Sequence, residues 1–479
     1  MKKIILSLGM LIAVATASYA QNNTATLNQN NGARNTGNMT QNGQNNQARI
    51  NQNGVVVTDN KAVIMQTGKS NQALIDEAGK LNDVMITQSN TSVANHDASV
   101  QIINNDSENN YVRVTQSGKG MRADIQIRGD GMANGGSPVI FNQSGDTNRA
   151  RLLETGGNDN DYNAVSLTQS GKDGQSYTNL VGDNNSITIN QAGNTNNIGN
   201  FAGGGPAIGS SFTRTRVLAG PNQSLAGPNF LGADGTAVGI GINAGITVVG
   251  DMNTISVTQG AASRNNFAGI QLNGTQADGA NQNKATINQA DNAEDNQALI
   301  VVNSNQDRNA ATINQTGFAQ FNRAAIIQNG SDDIATINQS GKFNVAVTQQ
   351  QIGTNTGSNV ATINQPGNNN TAYTFQEGQI GSRVTITQNT NGHIAEVYQI
   401  GNGNHDATIT QESVTGGSRL ILQQEGTANK AFLTQKDIQG LPTDVEIRQT
   451  GMNNTVNGIA TGGVTRFIQQ NGNNNVINL

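Results

Sequence analysis

The chain has 479 residues, a formal net charge of −5 at pH 7, and neither cysteine nor tryptophan. The lack of cysteine excludes disulfides, and scattered basic residues argue against a nucleic acid or an anionic membrane as a partner. Asn and Gln make up about a quarter of the residues, a composition typical of disordered chains unless their positions are ordered.

The first predicted element is a signal peptide over residues 1–20. It has basic residues at Lys2 and Lys3, an apolar stretch over residues 4–14, and a small residue at Ala20, after which we expect cleavage. This stretch is too short to span a bilayer, and no later segment approaches the about 20 apolar residues that a transmembrane helix needs. We therefore expect a secreted protein that does not insert into a membrane.

A repeated unit, Asn-x-Ala-x-Ile-x-Gln-x-Gly, follows over residues 21–198 and again over 251–479. Its key residues recur at every second position, which is the period of a β-strand, so we expect them to share the inward face. We predict that they form the ladder on which assembly depends. They are Asn283, Asn309, Asn322 and Asn370 at the first position, Ile287, Ile313, Ile337 and Ile363 at the aliphatic position, and Gln289, Gln315, Gln328, Gln339, Gln365, Gln376 and Gln399.

Glycine two positions after the glutamine, as at Gly43 and Gly68, favours a tight turn after each strand. A strand and a turn make a half-coil, and two half-coils make a coil of about 22 residues that stacks on the next at about 4.8 Å. The predicted fold is all-β: a flat, amyloid-like β-solenoid of two sheets. A buried, unpaired amide costs about 1–3 kcal/mol, so inward Asn and Gln require amide ladders along the stack.

The repeat disappears over residues 199–250, which contain Pro206, Pro221 and Pro228. Proline removes a ladder donor, so this segment does not read as central strand throughout. We interpret it either as an insertion that projects from the solenoid or as a linker between two solenoid halves.

The outward positions of alternate units differ between residues 285 and 411. One set carries threonine, as at Thr286 and Thr312, and the other is apolar and partly aromatic. The apolar set comprises Leu299, Ile327, Tyr373, Phe375 and Tyr398. We expect an exposed lateral face that packs filaments together or binds a surface. The alternative is that the middle insertion or a terminus folds over this face.

The last unit, with Asn475, Ile477 and Leu479, stops in mid-strand without a polar cap. Capped terminal repeats keep solenoids soluble, and an open rung is a template for another strand. Ile477 and Leu479 are therefore predicted assembly residues, with further copies of the same chain as the partner.

No arrangement typical of catalysis is visible. The three histidines, the absence of cysteine and the sparse charges predict no catalytic, cofactor or metal site, and hence no enzyme. His393 and His405 stand at the asparagine position of consecutive units, so we expect them to stack as ladder substitutes.

A longer pattern, Gln-x-Gly-x-x-Asn-x-Ala-x-Ile-x-Gln, resembles the curlin repeat family over nearly all of the chain outside its middle. One copy reads Gln41, Gly43, Asn46, Ala48, Ile50 and Gln52. The resemblance, to a large multi-repeat member, implies a secreted subunit of curli-like amyloid fibres at the cell surface, active in adhesion and biofilm. It also implies an outer-membrane secretion pore and a nucleator subunit as partners.

One departure concerns export. The best-known curlins are shorter and carry a separate segment before their repeats that the secretion apparatus recognises, whereas here a repeat begins at Asn23. The export route, and the choice between major subunit and nucleator, stay open. The alternative function is that of a monomeric cell-surface β-solenoid adhesin or binding protein.

Overall fold

The structure is a computed structural model. It describes residues 22–30, 34–53, 58–90, 95–103, 109–128, 138–154, 163–198, 245–273, 282–303, 308–351, 358–378, 381–412, 417–436, 442–463 and 465–479. The predicted signal peptide, and residues 199–244 of the predicted insertion, lie outside these ranges.

The strands before residue 199 are β1 Thr24–Asn30, β2 Thr36–Gln44, β3 Gln47–Asn53, β4 Lys61–Lys69, β5 Gln72–Glu77, β6 Asp83–Ser89, β7 Asp97–Ile102, β8 Tyr111–Lys119, β9 Arg122–Ile127, β10 Val139–Asp146, β11 Arg149–Glu154, β12 Ala164–Gln169, β13 Gln175–Val181, β14 Ser186–Gln191 and β15 Asn197–Ile198.

The later strands are β16 Ile246–Val249, β17 Thr254–Gln259, β18 Phe267–Asn273, β19 Lys284–Gln289, β20 Gln297–Asn303, β21 Ala310–Gln315, β22 Arg323–Gln328, β23 Ile334–Gln339, β24 Val345–Gln351, β25 Val360–Gln365, β26 Thr371–Gly378, β27 Arg383–Gln388, β28 Ile394–Gly401, β29 Asp406–Glu412, β30 Arg419–Thr427, β31 Lys430–Lys436, β32 Asp444–Met452, β33 Thr455–Thr461, β34 Thr465–Asn471 and β35 Val476–Asn478.

These strands form two parallel sheets between which the chain alternates. The first sheet contains the odd strands from β1 to β15, then β16 and the even strands from β18 to β34; the second contains the others. The first has 18 strands, of which β15 and β16 share one level, and the second has 17, so each sheet has 17 levels. The predicted all-β, two-sheet solenoid is confirmed.

The coils are longer and less uniform than the predicted 22 residues. Ladder glutamines on successive levels are mostly 21 to 30 residues apart, for example 21 from Gln449 to Gln470 and 30 from Gln259 to Gln289. The largest spacing in that ladder, 68 residues from Gln191 to Gln259, spans the predicted insertion. Except for β15, β16 and β35, the strands have six to nine residues, so the turns absorb most of the difference.

The hydrophobic core lies between the sheets as one continuous cluster. Along each strand, buried and partly exposed residues alternate, as the period of two predicts. Ile287, Ile313, Ile337 and Ile363 are fully buried and stack in register on four successive levels of the second sheet. Each coil therefore shields the stacked apolar side chains of the coils next to it from solvent.

Glycine is required where turns of adjacent coils meet. Gly43 has a φ of 117°, and a Cβ atom placed there would lie 1.9 Å from the carbonyl oxygen of Gly68, one coil further on. Neither the backbone angle nor the space admits another residue. Gly43 is the penultimate residue of β2, so it lies at the end of the strand and the chain turns just after it.

The segment 199–250 is described only from residue 245. Its residues Ile246–Val249 form β16, which pairs with β13 on one side and β18 on the other. Within the described ranges, no helix is long and apolar enough to cross a membrane.

Candidate assembly site

A single glutamine ladder runs through almost the whole second sheet. Each Nε2 group donates to the Oε1 atom of the glutamine one level further along the chain, in fourteen consecutive bonds of 2.6–2.9 Å. The ladder consists of Gln41, Gln66, Gln88, Gln116, Gln143, Gln169, Gln191, Gln259, Gln289, Gln315, Gln339, Gln365, Gln388, Gln411 and Gln435. Every described bond has the same direction.

Each of these amides also joins the two halves of its coil. Gln339 donates to the carbonyl oxygen of Arg323 in the first sheet at 3.1 Å, as well as to Gln365. Its own Oε1 atom accepts from Gln315 at 2.9 Å. Both donor hydrogens and the acceptor are thus used, which removes the free-energy penalty of burying the amide.

The first sheet has a second ladder that is shorter. It comprises Gln328, Gln350, Gln376, Gln399, Gln424, Gln449 and Gln470, with six bonds of 2.8–3.0 Å in the same direction as those of the second sheet. On earlier levels the same column is largely apolar, for example at Ile102 and Ile127. The seven predicted glutamines therefore belong to two ladders: Gln328, Gln376 and Gln399 to this one, the others to the long one.

The asparagines bind the backbone of the next coil. Asn283 and Asn309 lie in one column, where each Oδ1 atom accepts the backbone N–H of the following level at 2.9–3.0 Å. Asn322 and Asn370 lie in the other, and they also donate from Nδ2 to turn carbonyls of the next coil, Gly341 and Thr390, at 2.7 and 2.6 Å. The asparagines thus fix the turns, whereas the glutamines form the amide ladders.

Three buried carboxyl groups replace amides in these columns. Glu77 lies at a glutamine position of the first sheet, where it accepts from Gln52 at 2.8 Å. Glu154 lies in the same column, two levels beyond Ile102. Asp333 lies at an asparagine position of the second sheet. Burial raises the pKa of Glu77 and of Glu154 to about 8 and that of Asp333 to about 7. Each has one oxygen without a hydrogen-bond partner among the described residues.

These acids were not predicted as site residues, although the repeat marks their positions. Asn71, Ala73 and Ile75 precede Glu77 at the spacing of the pattern, and Gly79 follows it. An acid at the position of an inward glutamine was the available signal. These groups are the points at which pH acts on the solenoid.

His393 and His405 do not stack on each other, although each is a ladder substitute in its own column, as predicted. Consecutive half-coils belong to opposite sheets, and the two rings therefore lie in different columns. Each does replace an asparagine: the Nδ1 atoms of His393 and His405 accept the backbone N–H of Ser418 and of Asn429, both at 3.2 Å. His96 binds Met121 in the same way. Each Nδ1 atom must be unprotonated to accept.

Replacing His405 with asparagine should make the protein less sensitive to acid. Burial lowers the pKa of His405, so below the ordinary histidine pKa of about 6.5 the unfolded chain takes up a proton that the folded chain resists. The free energy of unfolding of the natural protein therefore decreases as the pH falls below that value. His405→Asn removes this decrease. Denaturant unfolding at pH 7.5 and pH 5 should show a smaller loss in the variant, and an equal loss would contradict this role.

Four of the five predicted lateral residues belong to a cluster on the outer surface of the first sheet, and the fifth, Ile327, lies on the same surface, but none of the five is exposed. Leu299, Tyr373 and Phe375 are 1, 4 and 3 % exposed and Ile327 is 8 % exposed, while Tyr398 is partly buried against the cluster. The prediction of an exposed face is thus wrong for these levels. Alternation within a strand shows which side chains point outward, but not what lies over them.

The outer surface of the second sheet carries stacked threonines and asparagines. Thr286, Thr312 and Thr336 are in register and partly exposed, and Asn314 donates to Asn338 at 2.8 Å. At the last described levels, Ile477 is in register with Val456, and both Ile477 and Leu479 pack against the core. No group of three or more potential metal ligands occurs among the residues with described positions.

Comparison with known families bears on this repeat. The family model of the curlin associated repeat matches residues 58–89. The chain carries a curlin repeat. The matched curlin segment contains β4, β5 and β6, with Gln66 and Gln88 in the long ladder, and so has the same geometry as the coils around it. No curated protein matches the chain.

Proposed function

We propose that this protein is a secreted structural subunit that self-assembles into curli-like extracellular amyloid fibres. The observation that carries the proposal is the long ladder of identical glutamines with one bond direction. Fifteen of the seventeen described levels of the second sheet carry a ladder glutamine, and Gln29 and Gln470 lie on the first and last described levels of the first sheet. A second copy can therefore continue the stack with the kind of contact that holds the coils together. The predicted ladder residues are accordingly proposed as assembly residues.

The ladder direction specifies how copies are arranged. Nε2 donors point towards higher residue numbers and Oε1 acceptors towards lower ones on every described level of both ladders. Two copies continue the ladder only head to tail, so that Gln470 of one copy faces Gln29 of the next. A head-to-tail contact that does not close by rotation produces an unlimited filament.

The remaining parts of the proposal rest on the curlin repeat. Fibres of this kind at the cell surface would support adhesion and a biofilm matrix, and the partners would be further copies of the chain, a nucleator subunit and an outer-membrane secretion pore. The role is structural and not enzymatic, which agrees with an interior filled by stacked amides and aliphatic side chains.

The experiment is to release purified mature protein from denaturant at micromolar concentration. We expect conversion, after a lag, into dye-binding fibres with a meridional reflection near 4.8 Å. Preformed fibres should shorten the lag. Protein that stays monomeric for days, with an unchanged β-sheet spectrum, would instead support a monomeric cell-surface adhesin.

A further inference from the structure

The outer surface of the first sheet has an apolar strip that is separate from the inner core. The strip consists of Phe267, Leu299, Ala325, Val347, Tyr373 and Phe375 on the five consecutive levels β18 to β26. All six side chains are between 1 and 4 % exposed. Outward side chains on a single sheet reach such values only where other parts of a chain lie over them.

Burial of outward positions is strongest in this part of the first sheet; elsewhere on the described levels of that sheet, single outward residues such as Asn51 and Ile421 are 6 and 8 % exposed. On earlier levels, the outward residues Ser99, Asp124 and Arg151 are partly exposed, and so are Thr312 and Thr336 at matching positions of the second sheet. The cover is therefore local, and it begins next to the level formed by β15 and β16.

At that level the described chain stops at Ile198 and resumes at Gly245, in the middle of a strand. Asn197 and Ile198 pair with Gln175 and Ser176, and β16 resumes opposite Thr178, so the neighbouring strand has only Tyr177 between these partners. Gly245 takes the matching place, since its carbonyl oxygen accepts the backbone N–H of Ile270 at 3.1 Å. The 46 residues 199–244 are thus inserted between Ile198 and Gly245.

Gly245, at which the described chain resumes, lies at one end of the apolar strip. Gly245 shares its outward column with Gly269, Leu299, Ala325, Val347 and Tyr373, in that order. The distance from Gly245 to the level of Tyr373 is five levels, or about 24 Å. At about 3.3 Å per extended residue, a small part of the 46 residues spans it.

The composition of the inserted segment suits an apolar surface. It contains three phenylalanines and eight isoleucine, leucine or valine residues, but only Arg214, Arg216 and Asp234 carry charge. We propose that residues 199–244 dock on the strip of their own chain and shield it from lateral contact with other copies. The segment then sets which outer face of the solenoid is open to neighbours: the Thr and Asn face of the second sheet.

Thiol labelling of single-cysteine variants tests this, because the natural chain has no cysteine. Ala325→Cys reports on the strip and Thr312→Cys, on the opposite sheet, is the matched control. Each is placed in the full mature chain and in a chain lacking residues 199–244. The deletion joins Ile198 to Gly245, which keeps the strand register; a variant with a glycine-serine segment of equal length serves if the deletion does not fold.

In monomeric protein, Ala325→Cys should be labelled slowly in the full chain and at least about ten-fold faster without the segment, because labelling then needs no local opening. Thr312→Cys should react equally in both. Equal rates for Ala325→Cys in the two chains would overturn the proposal, since another part of the chain would cover the strip. Protection that disappears on dilution would overturn it in favour of a second copy.

Discussion

Gln339→Glu should lower the free energy of unfolding by roughly 3–5 kcal/mol at pH 8, the loss typical of leaving an uncompensated charge buried. Gln339 is fully inside the long ladder, where its Nε2 group donates to Arg323 and Gln365. A carboxylate has no hydrogen to donate, so both acceptors lose a partner while a charge is buried. Lower pH should reduce the loss, because a neutral acid restores one donor.

Asn338→Asp is the matched control, because it makes the same chemical change one residue away on the outer face. Asn338 is only partly buried. Its side chain accepts a hydrogen bond from Asn314 and donates one to Asn364, both at 2.8 Å. Solvent access should keep its effect to about 1 kcal/mol. Denaturant unfolding of both variants measures the difference. Equal losses in the free energy of unfolding would show that the inner ladder stabilises the fold no more than the outer one does.

Glu77→Gln should stabilise the protein by about 2–5 kcal/mol at pH 8.5 and by far less at pH 4. An unfolded glutamate loses its proton near pH 4.5, whereas burial raises the pKa of folded Glu77 to about 8. Between these values the folded chain binds more protons than the unfolded chain, so the free energy of unfolding of the natural protein falls as pH rises. A glutamine contributes no such fall, and it still accepts from Gln52.

Unfolding curves from pH 4 to pH 9 measure this effect. The matched control is Glu412→Gln, which makes the same chemical change at an exposed position on β29. If Glu77→Gln kept the pH profile of the natural protein, Glu77 would not be a neutral acid in the folded state.

The inward set could be predicted from sequence because its period is strict. Asn, Ala, Ile and Gln at every second position define one face of a strand, and glycine follows near the end of the strand, as Gly43 does in β2. The coil length could not be predicted as closely, because turns of differing length connect strands that mostly have six to nine residues. Units that are consecutive in sequence do not stack on each other, because the chain alternates between two sheets, and His393 and His405 therefore lie in different columns.

Two other features could not be predicted from the repeat pattern. Asparagine is one methylene shorter than glutamine, and on most described levels it reaches a backbone group of the next coil, as Asn322 does, while Gln339 reaches an amide. The cover over Leu299 and Tyr373 depends on chain far away in sequence, and alternation along a strand carries no information about it.

Mass per length of single fibres, measured by dark-field scanning transmission electron microscopy, tests head-to-tail stacking most directly. Seventeen levels at about 4.8 Å give about 80 Å for each copy, so a chain of 50.0 kDa corresponds to about 6 kDa per nm. We expect this value or, for bundles, small multiples of it. A value near 100 kDa per nm, which corresponds to one chain for every 4.8 Å, would contradict the account, because each chain would then contribute a single layer.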